Sequence, residues 1–382
     1  MVDDRMDMLS RMPFLVHRVG AGEKAAKDLT DAEAREAAHL LLSGEATLLQ
    51  AGGFLVGMRI KTEAPDEMSA FSSVCREYNR PFDAGTSLPL DIPVYAGKKT
   101  FFHAIIPAAF LISAVGQPVF LHGFSGVTGR VGVGATLSAL GVPVDLAADE
   151  ASARLKRFGF VYWDVAQFNP PLYRFHLFRN ELGVRTIFNA IARTSNPSSA
   201  SCHLIGVSHP PYLDLTLETL RRMGSSRALV LRGVEGGPEP SATSETKGIL
   251  MNDGQQSDVT LSPTQIGFPL AARADVSGGD AGAQAARVLG ILDGTIAGPL
   301  RHWTLLTAAT GLWAAGCCTT LQEGFEAAEA QLVSGGGLKK LQQALTASSL
   351  YTQTNQVCET IPKEMRRGDG SVAPTSETSS QT

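Results

Sequence analysis

Cysteine is scarce in this chain. Five occur in 382 residues, at Cys75, Cys202, Cys317, Cys318 and Cys358, and no two stand at CxxC spacing. That pattern excludes a zinc ribbon or a disulfide-stapled scaffold and points to free thiols in a reducing compartment. A dominant charge is missing too: 33 Lys and Arg against 37 Asp and Glu leave a net charge of -4. A uniformly basic coat for nucleic acid is thereby excluded, whereas a local basic patch on a mildly acidic whole is not. No GxSxG, HExxH or P-loop sequence occurs, so hydrolase, zinc-protease and nucleotide-triphosphatase chemistries have no motif behind them. Asp3, Asp4, Arg5 and Asp7 precede any apolar run. This differs from the basic-then-apolar order of a secretory signal, and a cytoplasmic protein is expected. The longest apolar run, Ala104 to Leu121, approaches the length of a membrane span, but Gly116, Gln117 and Pro118 divide it into a helix followed by a strand.

Hydrophobic residues at 44% and charged residues at 18% describe a globular chain long enough for one large or two ordinary domains. Thr30 followed by Glu33 predicts a capping box, and Ala34, Ala37, Ala38 and Leu41 continue at helical spacing. Further helices are predicted over Ala46 to Met58 and Pro65 to Tyr78, giving a small helical domain through residue 85. From residue 86 to 364 short β-rich runs alternate with helical stretches. PVFLHG from Pro118, CHLIGVS from Cys202 and ALVLRGV from Ala228 read as strands, with amphipathic helices between them. The expected class is α/β, a helical domain beside a larger α/β domain with a mostly parallel central sheet. Two helical segments are predicted near the end, around Ala281 to Leu292 and Trp303 to Leu332. Residues 365–382, rich in Ser, Thr and Gly, are expected to be a disordered tail.

Two stretches carry a resemblance. FRNELGVRTIFNAIARTSNP, Phe178 to Pro197, and the helical segment from Val19 to Met68 resemble glycosyltransferase family 3, the fold class of the anthranilate phosphoribosyltransferases. The resemblance implies a helical domain that supplies a homodimer contact and an active site in the cleft between domains. It also implies phosphoribosyl pyrophosphate as donor, an aromatic acceptor, and magnesium if the chain is catalytic.

Several motif positions depart from that pattern. Where catalytic members carry a glycine-rich GTGGD loop, this chain reads DIPVYAGKKTFF from Asp91, with Gly97 kept and Lys98 and Lys99 following. Successive glycines let backbone N–H groups approach a phosphate, a role two lysines would have to fill as point charges. Against the family's KHGNRSVSS-type loop stands LHGFSGVTGRVG from Leu121. His122, Gly123 and Val127 match it, Thr128 keeps one hydroxyl, and Gly129 replaces a serine. In RGVEGGPEPSATSE, from Arg232, Pro238 falls where the family's metal-binding aspartate would be and Glu239 where its glutamate would be. Arg179 matches the arginine that holds the acceptor's carboxylate, although its guanidinium suits a phosphate as well.

These departures resemble a divergent branch that keeps the fold and binds nucleic acid without evident sequence preference. RTIFN at Arg185 and SNP at Ser195 look closer to the biosynthetic enzymes. Two functions follow as expectations. The first is binding of nucleic-acid phosphates in the inter-domain cleft by Lys98, Lys99, Arg130, Arg174, Arg179 and Arg193, with Arg185 nearby. The second is pentosyl or phosphoribosyl transfer, with Arg179 orienting the acceptor, His122 lining its pocket, and Lys98 or Arg130 on phosphate. Glu235 and Glu239 are expected to be solvated loop acids.

Overall fold

The computed structural model describes residues 3–22, 24–85, 88–124, 126–127 and 129–346. Four helices open the chain: α1 (Asp3–Gly20), α2 (Asp31–Ser43), α3 (Leu48–Lys61) and α4 (Pro65–Glu77). Thr30 and Thr47 each close a capping box, with Glu33 and Gln50 as the reciprocal partners. Each such cap satisfies otherwise orphaned amides and contributes about 1 kcal/mol.

Then β1 (Leu90–Pro93) leads through α5 (Ile105–Val115) to β2 (Val119–Gly123). A small hairpin of β3 (Gly126–Val127) and β4 (Arg130–Val131) precedes α6 (Val133–Ala139), α7 (Ala148–Phe158) and β5 (Phe160–Asp164). Gly116, at φ 115°, ends α5, so the long apolar run is a buried helix and a buried strand. No helix among the described residues is long and apolar enough to cross a membrane.

The chain next forms α8 (Val165–Phe168), α9 (Pro170–Leu182) and α10 (Ile187–Ile191), and re-enters the sheet with β6 (Cys202–Gly206), α11 (Pro211–Arg222) and β7 (Arg227–Leu231). An antiparallel pair, β8 (Thr246–Asn252) and β9 (Gln255–Leu261), completes it. The sheet order is β5-β2-β1-β6-β7-β8-β9, parallel from β5 to β7 and antiparallel beyond. Four helices close the described chain: α12 (Ala281–Leu292), α13 (Pro299–Ala315), α14 (Leu321–Val333) and α15 (Gly336–Thr346). The predicted single segment from Trp303 to Leu332 is therefore two helices. Gly316 at φ 79° stops the first and Thr320 caps the second.

Period-2 alternation distributes the strand side chains between two cores. Val119, Leu121, Phe160 and Tyr162 face α5 and α12 to α15, whereas Phe120, Val161 and Trp163 face the helical layer. Both faces are covered, which is why these strands read as continuous apolar runs. The helical layer draws on two separate stretches of chain. Leu172, Phe175 and Phe188 share a core with Phe54 and Phe71, and the Phe175 and Phe188 rings stack at 3.9 Å.

Beyond β7 the chain crosses the strand ends very closely. A β-carbon at Gly206 or at Gly233 would lie 1.8 Å from the Gly237 carbonyl oxygen, so only glycine fits either position. Cys75, Cys202, Cys317 and Cys318 are free thiols, and burial pushes Cys75 up to about 12. Thr128, Cys358 and the tail expected over 365–382 lie outside the described residues.

Candidate functional site

The chain runs from β1 to β2 on one side and returns through β6 on the other, so the order of the sheet reverses at β1. In an open parallel sheet, the carboxyl ends of the strands at such a reversal leave a crevice for ligands. A cleft lies there. Tyr95 and Ala96 follow β1, Phe124 follows β2, Val207 to His209 follow β6, and Glu235 follows β7; Arg59 of α3 and Arg179 of α9 face them from the helical layer.

Five arginines converge on this cleft: Arg59, Arg130, Arg179, Arg185 and Arg193. Glu235 is the one carboxylate among its lining residues. Arg193 is held at the cleft by donating to the Gly206 carbonyl at 2.9 Å and the Asn189 carbonyl at 2.7 Å. Burial and then the neighbouring Arg185 push its guanidinium down to about 10. Arg185 is lowered likewise, first by burial and then by Arg179, Arg130 and Arg59. Like charge is crowded in a partly desolvated space, and an anionic ligand would relieve it.

Glu235 spans the cleft rim. Its carboxylate accepts from the Lys99 amide at 2.6 Å, the Thr100 amide at 3.0 Å and Arg130 Nη1 at 3.2 Å. Arg130 Nη1 also donates to the Gly97 carbonyl at 3.0 Å. The expectation of a solvated loop acid is thus corrected for Glu235, and still more for Glu239. Glu239 Oε1 lies 2.7 Å from Lys98 Nζ with both side chains sealed from solvent. It also accepts from the Ile105 amide at the start of α5, at 3.4 Å. Burial alone would raise Glu239, but the Lys98 charge and the bonds from His103 and Lys98 bring it down to about 2.

Lys98 is consequently not placed as an accessible phosphate contact. Its ammonium donates to the Phe102 carbonyl at 2.9 Å and lies over the Trp303 ring at 4.7 Å. The donor set also does not fit a divalent cation, because the one carboxylate at the position the resemblance assigns to metal binding already neutralises a lysine. No grouping of three His, Cys, Asp or Glu suited to a metal occurs among the described residues.

His122 is buried beneath the cleft and does not line it as expected. Its Nδ1 lies 2.8 Å from the Tyr95 hydroxyl, and its Nε2 stands 3.2 Å from Asp91 Oδ1 without hydrogen-bond alignment. Asp91 Oδ2 pairs with His203 Nδ1 at 3.0 Å. Burial would raise Asp91, yet the two histidines hold it below the usual carboxylate range. This chain of polar groups links β2, β1 and β6 beneath the cleft. Gly123 is required there because a β-carbon would meet the Val94 carbonyl oxygen at 2.9 Å.

Arg174, expected among the phosphate contacts, instead donates to the Leu41 and Leu42 carbonyls at 2.9 and 3.3 Å, at the end of α2. Lys99 is exposed at the rim. The structure therefore brings Arg130, Arg179, Arg185 and Arg193 to one cleft, sets Gly97 and Lys99 at its edge through their bonds to Arg130 and Glu235, and removes Lys98, His122 and Arg174 from it. Residue patterns missed Arg59, Tyr95, Phe124 and Ser208. The rule that ligands sit beyond parallel strand ends would have found Tyr95, Phe124 and Ser208; Arg59 is brought in by tertiary packing alone.

Comparison with known proteins places the architecture. The glycosyl transferase family helical bundle domain matches residues 15–78 and that family's a/b domain matches residues 97–338. The anthranilate phosphoribosyltransferase of Moorella thermoacetica is 35% identical over 322 residues, 83% of this chain and 94% of the relative. That of Desulfitobacterium hafniense strain Y51 is 33% identical over 304 residues, 79% of this chain and 90% of the relative. Among solved structures, the Thermus thermophilus anthranilate phosphoribosyltransferase superposes with a TM-score of 0.79 at 28% identity, covering 88% of this chain and 98% of its own. The Saccharomyces cerevisiae enzyme in complex with PRPP and Mg gives 0.78 at 17% identity, covering 89% and 98%, and shares the fold. Two matched domains, and alignments that span nine-tenths or more of these relatives' own length, make the chain an anthranilate phosphoribosyltransferase-like member of the glycosyl transferase family.

Proposed function

We propose that the cleft binds phosphate groups of nucleic acid, and that it does so without a magnesium-bound sugar pyrophosphate donor. The convergence of Arg59, Arg130, Arg179, Arg185 and Arg193 around a single carboxylate carries this reading. The buried Lys98–Glu239 pair supports it, because it occupies the loop and the acid that the resemblance assigns to pyrophosphate and metal. The ligand's phosphates would meet two guanidinium groups already fixed on backbone carbonyls, those of Arg130 and Arg193, which limits the entropy lost on binding. Binding through about four phosphates of a single strand would weaken roughly fiftyfold between about 50 and about 200 mM salt, as bound counterions are released. Fluorescence anisotropy with labelled single-stranded DNA at several salt concentrations tests this. Absence of binding at low salt, or an affinity that salt leaves unchanged, removes the reading.

A second reading, transfer of a sugar phosphate from phosphoribosyl pyrophosphate to an aromatic acceptor, is favoured by Arg179 standing in the same cleft as the Tyr95 and Phe124 rings. Arg179 would orient an acceptor carboxylate against the aromatic wall. Turnover of phosphoribosyl pyrophosphate with anthranilate and a panel of related acids separates this reading from the first.

The helical layer also supports a homodimer. Phe14 of α1 and Leu48, Leu49, Val56 and Ile60 of α3 are exposed, on the domain through which the family's resemblance implies pairing. An apolar surface of this kind marks an interaction site. Light scattering on the eluted protein tests it, and a monomer at micromolar concentration rules it out.

A further inference from the structure

We propose that the Glu235 carboxylate is an internal competitor seated in an exchangeable phosphate subsite, and that a ligand phosphate displaces it from the Lys99 and Thr100 amides and the Arg130 guanidinium. This inference rests on the phosphate-binding reading of the cleft and adds to it a specific subsite and a residue that controls access.

The geometry is that of anion recognition. Two consecutive backbone amides hold the two oxygens separately, Lys99 on Oε2 at 2.6 Å and Thr100 on Oε1 at 3.0 Å. Arg130 adds a cationic donor to Oε2 at 3.2 Å. Amides aimed together beside a guanidinium form a nest for an oxyanion, and a phosphate presents oxygens of the same kind with more charge. The two acids of the 232–240 loop differ in whether they can be exchanged. Glu239 has its side chain fully sealed and neutralised by Lys98, whereas the Glu235 side chain keeps 15% of its surface in solvent at the cleft rim.

The backbone supports the same conclusion. Glu235 sits at φ 54°, ψ 22°, a left-handed conformation that a residue with a β-carbon adopts at an energetic cost. Rotation of the side chain toward solvent breaks three hydrogen bonds, frees both amides and Arg130 for a ligand with no covalent change, and removes the one carboxylate among the cleft-lining residues.

The test is calorimetric titration of the full chain and of Glu235→Gln, Arg130→Ala and the double variant, each with inorganic pyrophosphate and, separately, with short single-stranded DNA. Glutamine keeps an acceptor oxygen for an amide while removing the charge, and circular dichroism with a melting curve checks that each variant folds. Glu235→Gln is expected to bind about tenfold more tightly, as loss of one partly screened unit charge implies, and adding Arg130→Ala is expected to cancel the gain. A gain with DNA assigns the subsite to nucleic-acid phosphate; a gain with pyrophosphate alone assigns it to a free phosphate ligand. Equal affinity of the wild-type chain and Glu235→Gln overturns the competitor while leaving the cleft reading in place. No binding of either probe to any variant overturns both.

Discussion

Lys98 Nζ and Glu239 Oε1 stand 2.7 Å apart in an interior that leaves neither side chain in contact with solvent. Taking two charges out of water is costly, and removing only one of them leaves the other uncompensated. Lys98→Met is therefore expected to destabilise the fold by about 3–5 kcal/mol, and the double variant Lys98→Met/Glu239→Gln to recover a large part of that loss. Urea denaturation of the single and double variants measures it. Equal instability of the two would show that the pair's charges do not govern this site.

The same pair predicts an acid dependence. Glu239 is brought from an ordinary value of 4.5 down to about 2 in the folded chain. A carboxyl held low when folded takes up protons more readily when unfolded, so its contribution is fully present above its ordinary value and is lost as pH falls toward 2. The stability gap between the wild-type chain and Glu239→Gln should narrow steadily as pH is lowered below about 4.5. A gap that stays constant in denaturation series at stepped pH would contradict this.

Arg185 and Arg193 differ in what they hold. Arg185 makes its largest electrostatic contacts with other arginines, whereas Arg193 is fixed to two carbonyls. Arg185→Ala is expected to lower the salt slope of single-stranded DNA binding by about 0.7, one phosphate's worth of counterion release, with the melting temperature preserved or raised. Arg193→Ala should lower both binding and melting temperature. Anisotropy titrations paired with thermal scans distinguish the two, and an unchanged salt slope in Arg185→Ala would remove it from the phosphate contacts.

Arg174 donates to the last carbonyls of α2, and its guanidinium lies 3.1 Å from where a β-carbon on Gly44 would stand. Arg174→Ala should cost about 1.5–3 kcal/mol, the range for charged hydrogen bonds, and leave DNA affinity unaltered. Loss of affinity at unchanged stability would return Arg174 to the binding surface.

The sequence showed the fold more readily than the site, for physical reasons. Helix starts are local events, so Thr30 with Glu33 announced α2, and Gly116 with Pro118 separated α5 from β2. The presence of β6 and β7 followed from apolar runs covered on both faces, although CHLIGVS and ALVLRGV continue past the strand ends at Gly206 and Leu231. The site depends on contacts distant in sequence. Lys98 and Glu239 are 141 positions apart, and nothing local distinguishes a buried lysine from a solvated one. Arg174 looked like Arg179 as a residue in an aromatic-rich helix, yet the turn of α9 on which each stands sends one to the end of α2 and the other to the cleft. His122 lay in a matching motif and still packed inward, because Tyr95 covers it.

The close crossing of Gly237 over Gly206 and Gly233 has a kinetic meaning. Main chain wedged against strand ends does not swing open as a lid, whose motion would take microseconds to milliseconds. Release of Glu235 instead turns a single side chain, 15% of it in solvent, away from the three donors that hold it. Entry to the cleft would then wait on no main-chain motion, and the one step beside encounter would be the turning out of that side chain.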